Sequence, residues 1–133
     1  MAGYTYLMQP WLAQGSAPPP GVRVPFNAIV LAAREYQPEL LSRYHVLHVP
    51  LDDSGPPSHD DCARIRSAAA YVAEHVRRRK PVLVTCWQGR NRSGVIAGLA
   101  LRELGMSGRE ASRHIQLLRN GLTNPHFRAM VEG

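Results

Sequence analysis

Nine consecutive residues carry a dense set of groups that could act on an anion: Cys86, Trp87, Gln88, Gly89, Arg90, Asn91, Arg92, Ser93 and Gly94. They follow the apolar run Pro81–Thr85, which predicts a buried strand, and they precede an apolar stretch of helical length. A loop between a strand and a helix can turn successive backbone amides inward, and the helix dipole then strengthens their hold on an anion. We therefore expect the residues from Trp87 to Arg92 to bind a substrate anion.

Cys86 and Arg92 are the two residues of this loop that could do covalent and electrostatic chemistry. A cysteine at the start of the loop lies below the amides and beside the arginine, and both favour the nucleophilic thiolate over the thiol. The planar guanidinium of Arg92 can hold two oxygens of a phosphoryl group. The spacing alone is weak evidence, and Cys62 has Ala68 at the equivalent position. The combination of strand, cysteine, glycine, arginine, hydroxyl and helix favours an anion-binding loop with a reactive cysteine over a small buried cysteine beside a surface arginine.

The remaining segments predict strands that alternate with helices, which is typical of an α/β fold. Strands are expected at Tyr4–Leu12 (one strand, or two separated at Pro10), Ala28–Ala32, Tyr44–Val49 and Pro81–Thr85. Helices are expected from Ser58 to the basic run before Pro81, from Arg92 to Leu104, from Ser107 to Arg119, from Asn124 onward, and briefly at Pro38–Tyr44. We predict a single three-layer domain over residues 1–133, with a mainly parallel, mixed sheet of four to five strands flanked by helices.

The composition indicates a folded chain whose charge is distributed unevenly. The 133 residues are 44% apolar and 20% charged, and this length suffices to bury a core. The net charge is +6, but residues 1–61 carry three bases and six acids, whereas residues 62–128 carry thirteen bases and three acids. The basic half could attract nucleic acid, an anionic membrane or a phosphorylated substrate, or it could be a solvated surface.

Several function classes receive no support from the sequence. The longest apolar stretch, Gly94–Leu101, is too short to span a bilayer, and the N-terminus does not read as a signal peptide. Two cysteines do not form a disulfide framework, so we expect a reducing, cytoplasmic setting without a membrane partner. The six histidines lack the spacing of metal ligands, so we expect no metal and no cofactor. Cys62 is expected in a helix core, the alternative being a redox partnership with Cys86.

The loop that starts at Cys86 resembles the signature of the cysteine-based protein tyrosine phosphatases, and nearly the whole chain is similar to their compact dual-specificity branch. Trp11–Ser16 is similar to the opening strand and turn of that family, Val49–Ser54 to its general-acid loop and Leu118–Phe127 to its closing segment. One departure is Thr85, because the family usually has histidine before the nucleophile. The thiolate therefore loses one supporting group, although the hydroxyl of Thr85 could replace part of it.

The resemblance implies a role for each site residue. Cys86 would form a phosphocysteine intermediate, Arg92 would bind the phosphoryl group, and the Ser93 hydroxyl would assist release of the thiolate. Asp53 matches the family's general acid, and Asp52 is its neighbour and the alternative. An alkoxide or phenoxide leaves poorly unless it is protonated, so a carboxyl group near the leaving oxygen is chemically required. The implied enzyme is a metal-independent phosphomonoesterase that acts on phosphotyrosine, and also on phosphoserine or phosphothreonine, in proteins or peptides.

Other functions remain open from the sequence. The segment Gly89–Gly94 resembles the form of this loop in RNA 5′-triphosphatases of the same superfamily, and the basic half would suit a nucleic acid. A phosphoinositide is a further candidate substrate, since Arg90 adds charge to the loop. A non-catalytic phosphate-binding module is the third alternative. Nucleic acid is not the favoured partner, because a general acid at Asp53 is more useful for an alkoxide than for a phosphate leaving group. The oligomeric state is left open.

Overall fold

The computed structural model of the chain describes residues 3–133, and its centre is a sheet of five strands. The strands are β1 (Tyr4–Met8), β2 (Leu12–Ser16), β3 (Ala28–Ala33), β4 (His45–Leu51) and β5 (Val82–Cys86). Their order across the sheet is β1-β2-β5-β3-β4. β1 runs antiparallel to β2, and the other neighbouring strands are parallel. The predicted α/β fold with a mixed, mainly parallel sheet is confirmed.

Four helices complete the fold: α1 (His59–Arg77), α2 (Arg92–Glu103), α3 (Gly108–Arg119) and α4 (Pro125–Glu132). α1 begins at Ser58, whose hydroxyl accepts the amide of Asp61 at 3.1 Å. Ser107 forms a complete capping box at the start of α3, and the Asn124 side chain accepts amides of α4. These caps satisfy amides that the first turn of a helix leaves without partners. None of the helices formed by residues 3–133 is long and apolar enough to cross a membrane.

The two faces of the sheet are covered differently, because successive side chains of a strand point to opposite faces. All four helices bury apolar residues on one face, including Ile65, Val72, Ile96, Leu101, Ile115 and Phe127. The opposite face carries a smaller core of Ala13, Val24, Phe26, Ile29, Leu31, Tyr44 and Leu83. No helical residue among those that the structure describes belongs to this smaller core. The third layer consists of irregular segments rather than helices.

The prediction of a short helix at Pro38–Tyr44 is wrong. Residues 36–41 are irregular, and a turn at 42–43 leads into β4. Tyr44 is buried, and its hydroxyl accepts the amide of Val24 at 2.8 Å, while Leu40 and Leu41 pack against the smaller core. An isolated helix of this length is marginal, so the contacts of these side chains with the sheet decide the backbone conformation.

The parallel strands bring four chain segments to one edge of the sheet. Ser16 at the end of β2 pairs with Cys86 at the end of β5, and Ala33 at the end of β3 pairs with Leu51 at the end of β4. The segments that follow these strands therefore begin side by side. Ligands of open α/β sheets bind at this carboxyl edge of the strands.

Candidate active site

The loop at residues 87–91 joins β5 to α2, and its backbone amides are available to an anion. Within residues 3–133, none of the backbone amides of residues 88–91 donates a hydrogen bond to a loop carbonyl or to a side chain. α2 begins at Asn91 without a side-chain cap, because the Asn91 side chain instead bonds to Thr123 and to the amide of Asn124. The first turn of α2 thus keeps open amides and the positive end of its dipole. The loop therefore has the open amides that the predicted anion cradle requires.

The outer side of the loop is held by two side chains that the sequence interpretation missed. The amide group of Gln14, fully buried in β2, donates to the carbonyls of Gly89 at 3.0 Å and Arg90 at 3.2 Å. The guanidinium of Arg119 donates to the carbonyls of Gly89 at 3.1 Å and Gln88 at 3.3 Å. Because these carbonyls are bound on the outer side, the loop is held in a shape that leaves its amides free.

Gly89 is required at its position for two reasons. Its φ of +70° lies in the left-handed region that side chains disfavour. A Cβ atom built on it would also lie 2.6 Å from the carbonyl carbon of Gly15 and 2.7 Å from Nη2 of Arg119. The tight loop expected from this glycine is therefore present, and it packs directly on the end of β2.

Cys86 lies at the bottom of the loop, beside the hydroxyl of Ser93. The cysteine is 3% exposed, and its Sγ is 3.2 Å from Ser93 Oγ. Nε2 of Gln14 donates to the same Ser93 oxygen at 3.1 Å. The Ser93 oxygen thus accepts from both the thiol of Cys86 and the amide of Gln14, and its own hydrogen becomes a donor to the sulfur only when the thiol has lost its proton. The structure brings these two predicted site residues together, and Gln14 holds the Ser93 hydroxyl beside the thiol.

Arg92 is almost fully buried and is clamped by a carboxylate. Its Nη1 and Nη2 donate to the two oxygens of Glu35 at 2.5 and 2.7 Å, and Nη1 also reaches the carbonyl of Leu51 at 3.0 Å. These hydrogen bonds lower the pKa of Glu35 from 4.5 to about 2, against the opposing effect of burial. Burial alone would lower the pKa of Arg92, but Glu35 and the neighbouring Cys86 and Asp53 raise it above its usual value. Nε of Arg92 has no hydrogen-bond partner in residues 3–133, so it is a donor available to a ligand.

The two candidate acids are placed differently. Asp53 lines the cleft above Cys86, and its Oδ1 is 3.8 Å from Nε of Arg92. Its backbone carbonyl accepts Nδ2 of Asn124 at 3.0 Å, which ties the loop after β4 to the start of α4. Asp52 instead pairs with Arg34 at 2.9 Å on the exposed side of the loop. The geometry therefore places Asp53, and not Asp52, in the cleft with Cys86.

Thr85 does not take the place of the missing histidine. Its hydroxyl is buried and donates to the carbonyl of Val30 in β3 at 2.7 Å. Alternation along β5 directs it to the opposite face of the sheet from Cys86. The expectation that this hydroxyl could support the loop is not met, and Gln14 and Arg119 hold the loop in its place.

The cleft above Cys86 is small, about 170 Å³, and combines charges of both signs. Its lining consists of Glu35, Asp53, Cys86, Trp87, Gln88, Arg90, Asn91 and Arg92. Every predicted substrate-binding residue except Gly89 lines it, and Gly89 supports the loop from the side of β2. Trp87 and Arg90 are exposed at the rim, as expected.

The residues that the sequence interpretation missed are Glu35, Gln14 and Arg119. Glu35 lies two positions after β3, at the same edge of the sheet as Cys86, and that position was the one available signal. A glutamine inside an apolar strand was a comparable signal for Gln14, because buried polar side chains are normally bonded. Arg119 looked like an ordinary basic residue at a helix end.

The other candidates lie away from the loop. Cys62 is in α1 and is half-buried rather than part of the core, and its Sγ lies 4.0 Å from the Sδ of Met130 in α4. Both cysteines are free. Within residues 3–133 there is no group of three or more His, Cys, Asp or Glu side chains that could hold a metal ion.

Solved structures show what this fold and loop are similar to. Human DUSP28 matches at 25% identity over 97% of this chain and 90% of its own, with a TM-score of 0.81. Tk-PTP in its active form matches at 21% identity over 97% and 93% of the two chains, with a TM-score of 0.76. The Orf virus tyrosine phosphatase OH1 matches at 20% identity over 96% and 83%, with a TM-score of 0.72.

No family model matches the chain, and no curated protein matches it in sequence. The structural matches nevertheless extend over nearly the whole of both partners, and all three are phosphatases. The resemblance seen in the loop sequence is thus confirmed by the fold. The chain has the fold of the cysteine-based protein tyrosine phosphatase superfamily, in the form of its compact dual-specificity branch.

Proposed function

We propose that the chain is a metal-independent phosphomonoesterase that dephosphorylates phosphoproteins through a phosphocysteine intermediate. The observation that carries this proposal is the placement of Cys86 Sγ 3.2 Å from Ser93 Oγ, in a cleft shared with Arg92 and Asp53. The structural neighbours support phosphatase activity. The guanidinium and the open amides of α2 supply the positive charge that a transferring phosphoryl group requires.

In the first step, the Cys86 thiolate attacks phosphorus, a sulfur–phosphorus bond forms and the bond to the leaving oxygen breaks. Asp53 gives its proton to that oxygen, so the product leaves as a neutral alcohol or phenol. The amides of the loop and Nε of Arg92 hold the equatorial oxygens. One Nη group of Arg92 can join them by giving up one oxygen of Glu35, so the carboxylate holds the arginine in position before the substrate arrives.

In the second step, a water oxygen attacks phosphorus and the sulfur–phosphorus bond breaks, which releases inorganic phosphate. The carboxylate of Asp53 accepts the proton from the water, so the residue acts first as an acid and then as a base. The electron pair returns to sulfur, and the hydroxyl of Ser93 donates to the new thiolate. Gln14 holds that hydroxyl in place, because its Nε2 donates a hydrogen bond to the Ser93 oxygen.

The shallow cleft supports substrates whose phosphate is carried by tyrosine and also by serine or threonine. A volume of about 170 Å³ accommodates a phosphoryl group and little of the leaving group. This volume leaves little room for the further phosphates of a polyphosphate chain. These features favour phosphoprotein over RNA 5′-triphosphate and over multiply phosphorylated inositol.

The proposal is tested by comparing kcat/KM for four substrates: a phosphotyrosyl peptide, a phosphothreonyl peptide, a water-soluble phosphoinositide and 5′-triphosphorylated RNA. We expect both peptides to be turned over faster than the other two, with or without a chelator. The Cys86→Ser variant is the control for contaminating activity. Preferential turnover of the RNA or the phosphoinositide would overturn the assignment to phosphoproteins, and loss of activity on chelation would overturn metal independence.

A further inference from the structure

An exposed aromatic groove adjoins the cleft above Cys86. The groove encloses about 280 Å³ and is lined by Ser16, Ala17, Tyr36 and Trp87. Trp87 is also part of the lining of the cleft, so the two spaces meet at this side chain. The register of the sheet explains their proximity, because Ser16 pairs with Cys86 at the ends of β2 and β5.

Trp87 remains 55% exposed although it is among the largest apolar side chains of the protein. Its position is nevertheless defined, because its ring packs edge-to-face with that of Tyr36, with centroids 5.5 Å apart and an interplanar angle of 89°. Tyr36 in turn packs against the main core, and its amide donates to the carbonyl of Ala33 at 3.1 Å. The two perpendicular rings hold each other in position, and an exposed but ordered aromatic surface of this kind is typical of binding sites.

We propose that this groove binds an apolar side chain that stands next to the phosphorylated residue of a peptide substrate. The inference rests on the proposed function and names the substrate class: phosphopeptides with an aliphatic or aromatic neighbour of the phosphorylated residue. Consecutive Cα atoms in a peptide are about 3.8 Å apart, so a neighbouring side chain reaches a groove that shares a wall with the cleft. Trp87 and Tyr36 are then specificity-determining residues.

The lining of the groove favours a peptide over a nucleic acid. A strand of RNA or DNA that continued past its reacting phosphate would bring further phosphates to this side, and affinity for them depends on cations. All four residues of the groove are uncharged. The two rings also meet at a right angle. Perpendicular rings can enclose an aliphatic side chain on two sides, whereas a flat nucleobase could stack on only one of them.

The experiment compares two phosphotyrosyl peptides that differ only in having leucine or glycine on both sides of the phosphotyrosine. For the wild-type chain we expect kcat/KM to be about tenfold higher for the leucine peptide. The ratio should fall to about one to two in Trp87→Ala and in Tyr36→Ala. Because each ratio is taken within one variant, general damage to the loop cancels. Leu117→Ala, which removes an exposed leucine of α3, is the matched control and should retain the wild-type ratio.

Several results would overturn the groove assignment. One is a ratio near one in the wild type, and another is a tenfold ratio that persists in both Trp87→Ala and Tyr36→Ala. A loss of turnover of 5′-triphosphorylated RNA in Trp87→Ala, with an unchanged peptide ratio, would assign the groove to a nucleobase instead. If the wild type hydrolyses neither peptide, the proposed function fails. The Kd values of the two peptides for Cys86→Ser then decide the groove separately, with tighter binding of the leucine peptide expected.

Discussion

Asp52 and Asp53 are adjacent in sequence, but their side chains lie in different surroundings. Asp53 lines the cleft of Cys86, whereas Asp52 pairs with Arg34 on the exposed side of the same loop. The sequence predicted a general acid in this loop and favoured Asp53, with Asp52 as the alternative. The choice depends on the direction of each side chain beyond the end of β4, which a local sequence pattern does not give.

We expect Asp53→Asn to lower kcat about 100-fold or more on a phosphothreonyl peptide, because its alkoxide leaving group needs a proton. The loss should be smaller on p-nitrophenyl phosphate, whose leaving group is stable without one. The matched variant Asp52→Asn should stay within about twofold of wild type on both substrates. Steady-state kinetics of the two variants make the comparison, and equal losses in both would show that the acid has been misassigned.

The ion pair between Glu35 and Arg92 makes the stability of the folded state depend on pH in the acidic range. The hydrogen bonds from Arg92 lower the pKa of Glu35 from 4.5 to about 2, so the folded state favours the carboxylate. A group with a depressed pKa in the folded state stabilises it above the unfolded pKa, and that contribution is lost as the pH falls through the folded value.

We therefore expect Glu35→Gln to be less stable than wild type at pH 6 to 7. The difference should shrink between about pH 4.5 and about pH 2, as the wild-type carboxylate becomes protonated. Urea unfolding at a series of pH values measures it. Glu39→Gln, a change of an acid with no recorded ion pair in residues 3–133, is the control. A difference between Glu35→Gln and wild type that does not change with pH would contradict the pairing.

At the scale of elements, the loop after β5 is shaped from outside by β2 and α3. Gln14 and Arg119 bind carbonyls of the loop, and the absence of a cap leaves the amides of α2 open. The apolar pattern of the sequence predicted the strand and the helix, and therefore the loop between them. Gly89 predicted the tight turn within that loop. The sequence did not predict Gln14 and Arg119, because their contacts join positions that are far apart in the chain.

Gln14→Leu tests this support. It removes three hydrogen bonds and leaves loop carbonyls without their donor, which should lower the free energy of unfolding by about 1–3 kcal/mol. Displacement of the loop should lower kcat by about tenfold or more. Urea denaturation and p-nitrophenyl phosphate turnover measure the two effects. Gln9→Leu, at an exposed turn, should leave both unchanged. Wild-type kcat in Gln14→Leu would show that the loop holds its shape alone.

At the scale of the whole molecule, the fold brings acidic residues of the first half of the chain next to basic residues of the second half. Glu35 and Asp53 come from the acidic half, and Arg90, Arg92 and Arg119 come from the basic half. Their juxtaposition cannot be read from composition, because it requires the parallel strands to end at one edge of the sheet. We expect the remaining basic residues to attract anionic substrates.

We expect kcat/KM for an acidic phosphopeptide to fall as salt rises from about 0.01 M to about 1 M, with little change in kcat. A phosphopeptide with basic flanking residues should show a weaker dependence or the opposite one. The slopes of log kcat/KM against ionic strength provide the comparison. Equal slopes for the two peptides would show that the net charge of +6 plays no part in substrate capture.

We expect Cys86 to carry the phosphoryl group during turnover. Rapid acid quench of the reaction, followed by mass spectrometry of the peptide that contains residue 86, measures this directly. We predict one phosphoryl group on Cys86 in the wild type, a larger amount in Ser93→Ala because hydrolysis of the intermediate slows, and none in Cys86→Ser, which should also be inactive. Turnover by Cys86→Ser at the wild-type rate, or a phosphoryl group on another residue, would contradict the account.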